Sequence, residues 1–596
     1  MMSAFRHVLP FLACICACIA WSQEATDAIQ PEGTSTGTLK LSGTAAEAQA
    51  AKAAARPVEA QDWMVVAANP LAVEAGAQIL AQGGTAADAM IAVQAVLGLV
   101  EPQSSGLGGG AFLVWYDATS GAITTLDARE TAPLEATPQL FQDENGKPLD
   151  FFDAVVGGRS VGVPGVPALL AEAHVRWGKT RWSGLFSEAI RLADLGFTVS
   201  PRMATMVARD AERLAQFDTT NAYFLPDGSP LVEGTQLTNP AYANTLRILA
   251  NQGPEPFYSG EIARDIVETV RSAKGNPGVL SGVDLAIYRV KERNAVCAPY
   301  RGHNVCGMGP PSSGALTVGQ ILGMLNDVDI EKLSPNTPDT WRLIGDATRL
   351  AFADRGLFMA DNDYVPVPIK GLLDPTYLGA RARLLGGTTA LINTPPGKPK
   401  FDHSFNYISG KALERPSTTH ISIVDSSGNA LSMTSTIENA FGSRLMVRGF
   451  LLNNELTDFS AISHRNGVPV ANRVEPGKRP RSSMAPTIVL KDGKPVLVLG
   501  SPGGSRIIPY VAKTIIAHID WGLDVQKAVS LPHLTNRFGI FDIEQGTSVT
   551  GLASRLEAIG YEVKFRDLTS GLHAISIGDT LLGGADPRRE GIALGQ

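Results

Sequence analysis

The chain has 596 residues, of which 44% are hydrophobic and 18% charged, and its formal net charge is −7. That length allows several domains or one large unit, and the apolar fraction excludes wholesale disorder. The 51 basic and 58 acidic residues leave no basic excess, so no nucleic-acid partner is expected.

Residues 1–22 have the composition of a signal peptide. A short basic start precedes an apolar stretch, residues 8–20, which is too short to cross a bilayer comfortably as a permanent helix. Small side chains at Ala20 and Ser22 occupy the positions that a signal peptidase reads. A buried N-terminal helix and a lipoprotein site at Cys18 are the alternatives. No later apolar run reaches transmembrane length, so we expect an exported protein, periplasmic or secreted, with no membrane segment beyond the signal.

Two helices are predicted after a polar leader. Residues 23–60 contain few apolar side chains and are predicted to be a flexible leader, with order beginning near Trp63. Residues 70–82 carry apolar side chains at helical spacing. Thr85, followed three positions later by an aspartate, begins a second helix that ends near Val100. Because this helix is almost wholly apolar, we expect it to be buried on all sides.

A glycine-rich loop, residues 104–110, joins that helix to a strand at 111–116. The order helix–loop–strand is the reverse of a dinucleotide-binding turn, and the loop lacks the Lys-Ser/Thr pair of a P-loop, so close backbone packing is the better interpretation. Another strand is predicted at 124–128 and mostly helices from 164 to 355. Residues 370–417, rich in Pro and Gly, are predicted to be an exposed, mobile connection.

The sequence pattern changes to a period of two after Ser417. Residues 420–425 and 430–436 alternate and are joined by a turn, which predicts an antiparallel hairpin. Since the numbers of facing residues sum to a constant in such a pair, Thr418 should face Thr436. Thr–Thr cross-strand pairs are common in sheets without any catalytic role, so the pairing alone leaves both interpretations open.

A second hairpin is predicted from residues 487–490 and 495–500, followed by helices near 511–520 and 552–559. This order of elements predicts an α+β fold in which sheets lie between helices. The turn at 501–505 closes the second strand with two glycines, and its backbone N–H groups can point at one spot, as an oxyanion hole requires. A simple turn is the alternative.

Two cysteines, Cys297 and Cys306, lie outside the predicted signal peptide. They flank a stretch around Tyr300 that is typical of a hairpin turn, which would place them opposite each other within bridging distance. A disulfide suits an oxidising compartment, and two free buried thiols are an equal alternative. Two ligands alone make no metal site, so no metal is expected.

Several motifs, in one consistent order, resemble those of the gamma-glutamyltranspeptidase family. In the C-terminal half they are Thr418–Ser422, Leu452–Glu455, Lys478–Met484 and Gly500–Ser505. In the N-terminal half they are Asp127–Pro133, Gly162–Gly165 and Gly309–Gly314. The resemblance extends from about Trp63 to the C-terminus.

That family belongs to the N-terminal-nucleophile hydrolases. The resemblance implies a four-layer αββα sandwich, with two antiparallel-rich stacked sheets flanked by helices, and no cofactor. It implies a precursor that cuts itself between Ser417 and Thr418 into a large subunit, residues 61–417, and a small subunit, residues 418–596, which stay together as a heterodimer. The implied reaction passes a γ-glutamyl group from a glutathione-like amide, through a γ-glutamyl-threonine acyl-enzyme, to water or to an amino-acid or peptide acceptor.

The resemblance also implies the roles of individual residues. The family's catalytic residues correspond to Thr418, Thr436, Gly503 and Gly504. Its substrate-binding residues correspond to Arg129, Glu438, Glu455, Asp458, Ser482 and Ser483. The first threonine is then the nucleophile, the second orients it, and the glycine amides hold the oxyanion. The arginine and the serines hold the α-carboxylate of the substrate, and the three acidic residues hold its α-ammonium group.

The sequence departs from the family pattern in places. Glu438 stands where many relatives have Asn, and Glu455 where some have Gln. Residues 459–477, which in some members form a lid with an aromatic residue, contain no Tyr or Trp, so the balance between hydrolysis and transfer is left open. An acylase of cephalosporin-type side-chain amides and a non-catalytic exported binding protein are the rival hypotheses. The charged cluster argues against the first, and the complete catalytic set against the second.

Overall fold

The computed structural model describes residues 41, 43–404, 406–410 and 417–596. The predicted signal peptide, residues 23–40 and 42 of the predicted leader, and residues 405 and 411–416 of the predicted connection lie outside the described residues. None of the helices in the described part of the chain is both long and apolar enough to cross a membrane.

The helices are distributed along most of the chain. They are α1 (Gly43–Ala53), α2 (Pro70–Ala81), α3 (Ala86–Val100), α4 (Phe151–Val155), α5 (Val166–Trp177), α6 (Ser187–Leu195), α7 (Pro201–Leu214), α8 (Asp218–Phe224), α9 (Pro240–Gln252), α10 (Glu255–Tyr258), α11 (Glu261–Arg271), α12 (Gly282–Ile287), α13 (Gly314–Leu325), α14 (Pro338–Phe358), α15 (Ile369–Leu372), α16 (Pro375–Ala382), α17 (Ile507–Ile519), α18 (Val525–Ser530) and α19 (Ala553–Ala558).

The strands are β1 (Val58–Ala60), β2 (Met64–Ala67), β3 (Gly110–Tyr116), β4 (Ile123–Ala128), β5 (Phe197–Thr198), β6 (Gln236–Leu237), β7 (Lys291–Arg293), β8 (Val296–Tyr300), β9 (His303–Gly307), β10 (Thr419–Val424), β11 (Ala430–Thr436), β12 (Met446–Val447), β13 (Phe450–Leu451), β14 (His464–Arg465), β15 (Val468–Pro469), β16 (Thr487–Lys491), β17 (Lys494–Gly500), β18 (Leu534–Asn536), β19 (Ile540–Glu544), β20 (Glu562–Arg566), β21 (His573–Ile577), β22 (Leu581–Ala585) and β23 (Ile592–Gly595).

Two seven-stranded antiparallel sheets form the centre of the fold. The first has the order β1-β22-β21-β17-β16-β9-β8 and the second the order β23-β2-β10-β11-β3-β4-β7. An apolar layer between them contains Val66 and Val114 from the second sheet and Ile488 and Val498 from the first. Helices α2, α3 and α5 cover the outer face of the second sheet, and α13, α14 and α17 cover that of the first. The predicted four-layer αββα sandwich is therefore confirmed.

Strands from both sides of the Ser417–Thr418 bond alternate in these sheets. In the first sheet, β1 pairs with β22 and β9 pairs with β16. In the second sheet, β2 lies between β23 and β10, and β3 pairs with β11. Each of these five pairings joins a strand before the bond to a strand after it, so both sheets depend on both parts of the chain.

The strongly patterned elements appear where the sequence predicts them. Helix α3 is buried along its whole length, and its N-terminus has the predicted capping box, in which Thr85 and Asp88 each accept a hydrogen bond from the other's backbone N–H. Cys297 lies opposite Cys306 in the β8–β9 hairpin. A disulfide joins the two cysteines.

Two predicted segments differ from the structure. The predicted flexible leader, residues 23–60, contains helix α1 and strand β1, and the Lys52 ammonium of α1 donates to the carbonyl oxygens of Arg589 and Gly591 (3.0 and 2.6 Å). These tertiary bonds supply the stability that a short alanine-rich helix lacks by itself. The predicted connection at 370–417 begins with two short helices, α15 and α16, instead of irregular chain.

Candidate active site

The register of the β10–β11 hairpin places Thr418 opposite Thr436, as the sequence predicts. Thr419 pairs with Ser435, and the following pairs keep the same sum of residue numbers. Thr418 precedes β10 by one residue, and its Oγ1 lies 3.3 Å from Oγ1 of Thr436. Both side chains are buried, so two hydroxyl groups meet in one enclosed place at the end of the hairpin.

The carbonyl oxygen of Ser417, in the Ser417–Thr418 peptide bond, lies beside both hydroxyls. Thr418 Oγ1 makes a short hydrogen bond with this oxygen, and Thr436 Oγ1 donates to it over 2.9 Å. The backbone N–H of Glu438 donates in turn to Thr436 Oγ1 (2.8 Å). This series of donors polarises a carbonyl group next to a hydroxyl, which is the arrangement that attack on that carbonyl requires.

The glycine turn after β17 has backbone angles that favour glycine. Gly503 and Gly504 have φ angles of 137° and 57°, and L side chains adopt this region rarely. A Cβ atom at Gly503 would lie 3.0 Å from the Tyr510 ring. From Gly504 the chain continues through a short 3-10 turn into α17, so the turn brings backbone amides to the start of a buried helix.

Arg129 follows β4 directly and is completely buried. Its guanidinium group makes short ion pairs with Glu455 and Asp458 and donates to the carbonyl oxygens of Pro480 and Arg481 (3.2 and 3.1 Å). Burial alone lowers the pKa of Arg129, but the charges of the neighbouring carboxylates outweigh it and the net shift is upward. Arg129 is therefore a permanent buried cation that presents a planar fork of donors.

Two carboxyl groups near Arg129, those of Glu455 and Glu130, are in an environment that favours protonation. Burial raises the pKa of Glu455, although Arg129 opposes the shift. Burial, followed by the charge of Glu455, raises the pKa of Glu130 well above its usual range. The Glu438 carboxylate accepts a hydrogen bond from the side-chain amide of Asn454 (2.5 Å). Glu438 also lines the cavity described below, together with Glu455, Asp458 and Arg129, so three acidic side chains and one arginine share that lining.

Ser482 is held by the segment before α13, and Ser483 by Arg355 of α14. The Ser482 carbonyl oxygen accepts hydrogen bonds from the backbone N–H and the hydroxyl of Ser313 (2.8 and 2.6 Å). The Ser483 hydroxyl accepts a hydrogen bond from Arg355 (2.6 Å). The motif at Gly309–Gly314 therefore fixes the serine loop, a role that the sequence does not reveal.

A small cavity joins these groups. It is lined by Arg129, Ser417, Thr418, Thr436, Glu438, Glu455, Asp458, Ser482, Ser483, Met484, Gly504 and Ile507. All the residues that the sequence assigns to catalysis and substrate binding are among them, except Gly503. The cavity volume is about 20 Å³, room for about one water molecule. Because Arg129 is already paired with Glu455 and Asp458, a ligand must displace these bonds to enter.

Other contributors to the site are not evident from the sequence. Arg589 is buried, and its Nη1 donates to the Thr418 carbonyl oxygen over 2.9 Å across 171 positions of the chain. The Ser417 hydroxyl donates to the carbonyl oxygen of Gln103 (2.7 Å), within the glycine-rich loop region. Both sides of the Ser417–Thr418 bond are thus fixed by partners distant in sequence, and no local pattern could have identified them.

Two neutral histidines lie close to Thr418, His420 on β10 and His573 on β21. His420 hydrogen-bonds to the hydroxyls of Thr434 and Ser422 (2.8 and 3.0 Å), and Nδ1 of His573 donates to the His420 carbonyl oxygen (2.8 Å). Burial lowers the pKa of His420 well below its usual value and that of His573 to about 4. A Cβ atom at Gly500 would overlap the His420 ring, so the strand and its polar support pack without spare room.

Comparison with known proteins decides the family. The family model described as Gamma-glutamyltranspeptidase matches residues 72–596. The chain belongs to the gamma-glutamyltranspeptidase family. It is 37% identical to a glutathione hydrolase proenzyme of Bacillus subtilis (strain 168) over 552 aligned residues. The alignment covers 90% of this chain and 92% of the relative. The chain is 35% identical to a glutathione hydrolase proenzyme of Escherichia coli (strain K12), covering 89% and 91% of the two chains.

A solved structure extends the comparison. The cephalosporin acylase from Bacillus halodurans matches with a TM-score of 0.79 at 26% identity, over 91% of this chain and 97% of the acylase. The gamma-glutamyltranspeptidase family thus provides both the fold and an expectation of hydrolase or transferase chemistry. The similar proteins include both glutathione hydrolases and a cephalosporin acylase. The substrate class therefore has to be inferred from the charged residues of the cavity.

Proposed function

We propose that the protein is a self-processing γ-glutamyl hydrolase and transferase in which Thr418 is the nucleophile. The observation that carries the proposal is the position of the Thr418 hydroxyl, in contact with the carbonyl oxygen of the preceding residue and beside Thr436. The same cavity contains an arginine fork and several carboxylates. One hydroxyl can therefore serve first to cut the chain and then to attack a substrate.

Self-cleavage starts at the Ser417 carbonyl carbon. The Thr418 oxygen attacks this carbon, the C–N bond breaks, and the hydroxyl proton passes to the departing nitrogen, which converts the amide into an ester. Water then hydrolyses the ester, leaving a carboxylate on Ser417 and a free α-amino group on Thr418. The hydroxyl of Thr436 stabilises the oxyanion that forms on the Ser417 carbonyl oxygen (2.9 Å).

Turnover uses the new α-amino group as the base. An α-amine has a pKa of about 7.7–8.0, so its neutral form can accept the proton of the hydroxyl on the same residue, without a histidine. The oxygen of Thr418 then attacks the γ-carbonyl of the substrate, and the backbone amides of Gly503 and Gly504 stabilise the oxyanion. The amine of the substrate leaves with a proton, and water or an acceptor amine takes the γ-glutamyl group from the acyl-enzyme.

The charges of the cavity support an amino-acid head group. An α-carboxylate replaces Glu455 and Asp458 on the Arg129 fork, with Ser482 and Ser483 as further donors. The displaced carboxylates and Glu438 then bind the α-ammonium group. An acyl group that lacks the α-ammonium, such as glutaryl, would break the ion pairs of Arg129 with Glu455 and Asp458 and give the displaced carboxylates no cation in return. The charges of the cavity therefore favour γ-glutamyl amides as substrates. The structural similarity to the cephalosporin acylase is the observation that supports the alternative.

We further propose that the mature protein consists of residues 418–596 and of a large subunit that ends at Ser417 and begins after a cleaved signal at residues 1–22. The mixed sheets support lasting association, since separation would expose strand edges in both. Cleavage of this signal would accompany export, so the mature protein is expected in the periplasm or in the medium.

Two variants test the nucleophile. Thr418→Ala should remain one band on a denaturing gel and show no turnover, whereas Thr418→Ser, which keeps the hydroxyl, should still be cut into two bands. A wild-type protein that stays uncut would contradict the proposal. Substrate class is tested with γ-glutamyl and glutaryl anilides on the cut enzyme, and faster turnover of the glutaryl compound would support the acylase instead. A wild-type protein that stays uncut and turns over neither anilide would point to the binding-protein alternative.

A further inference from the structure

Glu130 is a buried carboxyl group to which the proposed reaction gives no role. It follows Arg129 in the chain and has no exposed surface. In the described part of the protein, neither of its carboxyl oxygens accepts a hydrogen bond from another residue, although its own backbone N–H lies close enough to favour the charged form. Two glycines pack closely against it, because a Cβ atom placed at Gly110 would overlap the Glu130 carboxyl and one placed at Gly162 would lie 2.8 Å from its Cβ.

The groups that face Glu130 explain this isolation. Arg129, Glu455 and Asp458 act on it from the pocket side, and Tyr258 and Tyr288 lie close enough to interact with its charge. Both tyrosine hydroxyls are occupied, since Tyr258 donates to the Pro164 carbonyl oxygen and Tyr288 to that of Arg129 (both 2.9 Å). Arg129 directs its fork at Glu455 and Asp458 instead.

Glu455, whose charge acts on Glu130 more strongly than that of any other side chain, can complete the hydrogen bonding. Its Oε1 is paired with Arg129, but its Oε2 is buried and accepts no hydrogen bond from the described residues. The Glu130 carboxyl is within hydrogen-bonding reach of Glu455. Two carboxylates cannot bond to each other, because both only accept, whereas a carboxylic acid donates one hydrogen bond to a carboxylate. Two adjacent buried anions would also repel each other and lose their hydration.

We propose that Glu130 is a neutral carboxylic acid that shares its proton with Glu455 and so positions the Glu455 carboxylate in the α-ammonium subsite. The proton removes one negative charge from the cavity, so that Arg129 faces fewer anions and remains able to receive an α-carboxylate. Loss of that proton at high pH would add a negative charge next to Arg129 and weaken substrate binding. Glu130 is thus a positioning residue that acts through Glu455.

Infrared spectroscopy of the substrate-free mature enzyme tests the proton directly. The wild type should show a C=O stretch of a protonated carboxyl group at pH 7, and Glu130→Gln should lack this band. The control variant Glu135→Gln, which changes an exposed glutamate, should retain it. If Glu130→Gln does not fold, Glu130→Asp should shift the band, since the acid is kept but moved. Absence of the band in the wild type, or a band that neither Glu130 variant alters, would overturn the proposal.

Kinetics test the positioning role, and this part rests on the proposed function. The amide of Glu130→Gln still donates to Glu455, so this variant should have a KM for a γ-glutamyl anilide near the wild-type value. The increase in KM that the wild type should show at high pH should be absent in the variant. Glu130→Ala should raise KM about tenfold, as expected for one lost charge-assisted hydrogen bond, with kcat little changed. Equal KM values for both variants would refute the positioning role. An enzyme inactive on γ-glutamyl donors would refute the proposed function but leave the infrared result standing.

Discussion

Replacing Thr436 by valine should slow self-cleavage without changing the shape of the site. In the described residues, the Ser417 carbonyl oxygen accepts hydrogen bonds from the hydroxyls of Thr418 and Thr436. During attack, the Thr418 oxygen becomes the nucleophile and can no longer donate, so Thr436 is the donor that remains for the developing oxyanion. Loss of one such donor lowers a rate by about 10²–10³, equivalent to about 2.7–4 kcal/mol.

Valine has a second effect that can be separated from the first. It leaves the buried N–H of Glu438 without the acceptor that now lies 2.8 Å away, which should lower the free energy of unfolding by about 1–3 kcal/mol. The decrease in the free energy of unfolding is measured by thermal unfolding of the uncut protein, whereas the loss of the donor is measured by the cleavage rate. The two measurements together show whether slow cutting follows from a lost donor or from a damaged fold.

The assay is a time course of freshly synthesised precursor on a denaturing gel. Wild type and Thr436→Ser, which retains the hydroxyl, should be cut at similar rates, and Thr436→Val should be cut about 10²–10³ times more slowly. If the valine variant matures as fast as the serine variant, the assignment of Thr436 as the donor is wrong.

Three other changes should give measurable effects. Arg129→Lys loses the planar fork and should raise KM for a γ-glutamyl anilide by about tenfold or more in steady-state assays, while an unchanged KM would contradict its role. Gly500→Ala should lower thermal stability, by about 1–3 kcal/mol, since its methyl group overlaps the His420 ring, whereas Gly379→Ala, with open space around it, should not. Folding lowers the pKa of His573 from 6.5 to about 4, so the unfolded chain binds a proton at this residue before the folded protein does. The free energy of unfolding should therefore keep its full His573 contribution, about 3 kcal/mol, above about pH 6.5 and lose it as the pH falls towards 4. In thermal unfolding at several pH values, His573→Gln should be less acid-sensitive, and an identical pH profile would rule this explanation out.

Periodicity and turn chemistry were sufficient to predict the elements that carry the reaction. The β10–β11 hairpin has strict alternation around a short turn, and its register follows by arithmetic, which is why the facing of Thr418 and Thr436 could be predicted. Helix α3 is recognisable because its cap and its apolar length agree. In both cases the information lies within about twenty consecutive residues.

Long-range partners could not be predicted in that way. Arg129 meets Glu455 across 326 positions, and no spacing rule connects them, so their pairing was expected only through resemblance to a family. Helix α1 was missed because its sequence is weakly apolar and its stability comes from bonds between Lys52 and the chain near Arg589. The Arg589 bond to Thr418 has no local signature either.

The alternation of strands from both sides of the Ser417–Thr418 bond also limits how such a protein can evolve. A recombination event that exchanged everything after the bond for the equivalent part of a distant relative would have to match five strand junctions in two sheets at once. The two halves are therefore expected to be inherited together and to change in concert. Chimaeras between distant homologues, joined at that bond, should misfold even though both parents are stable.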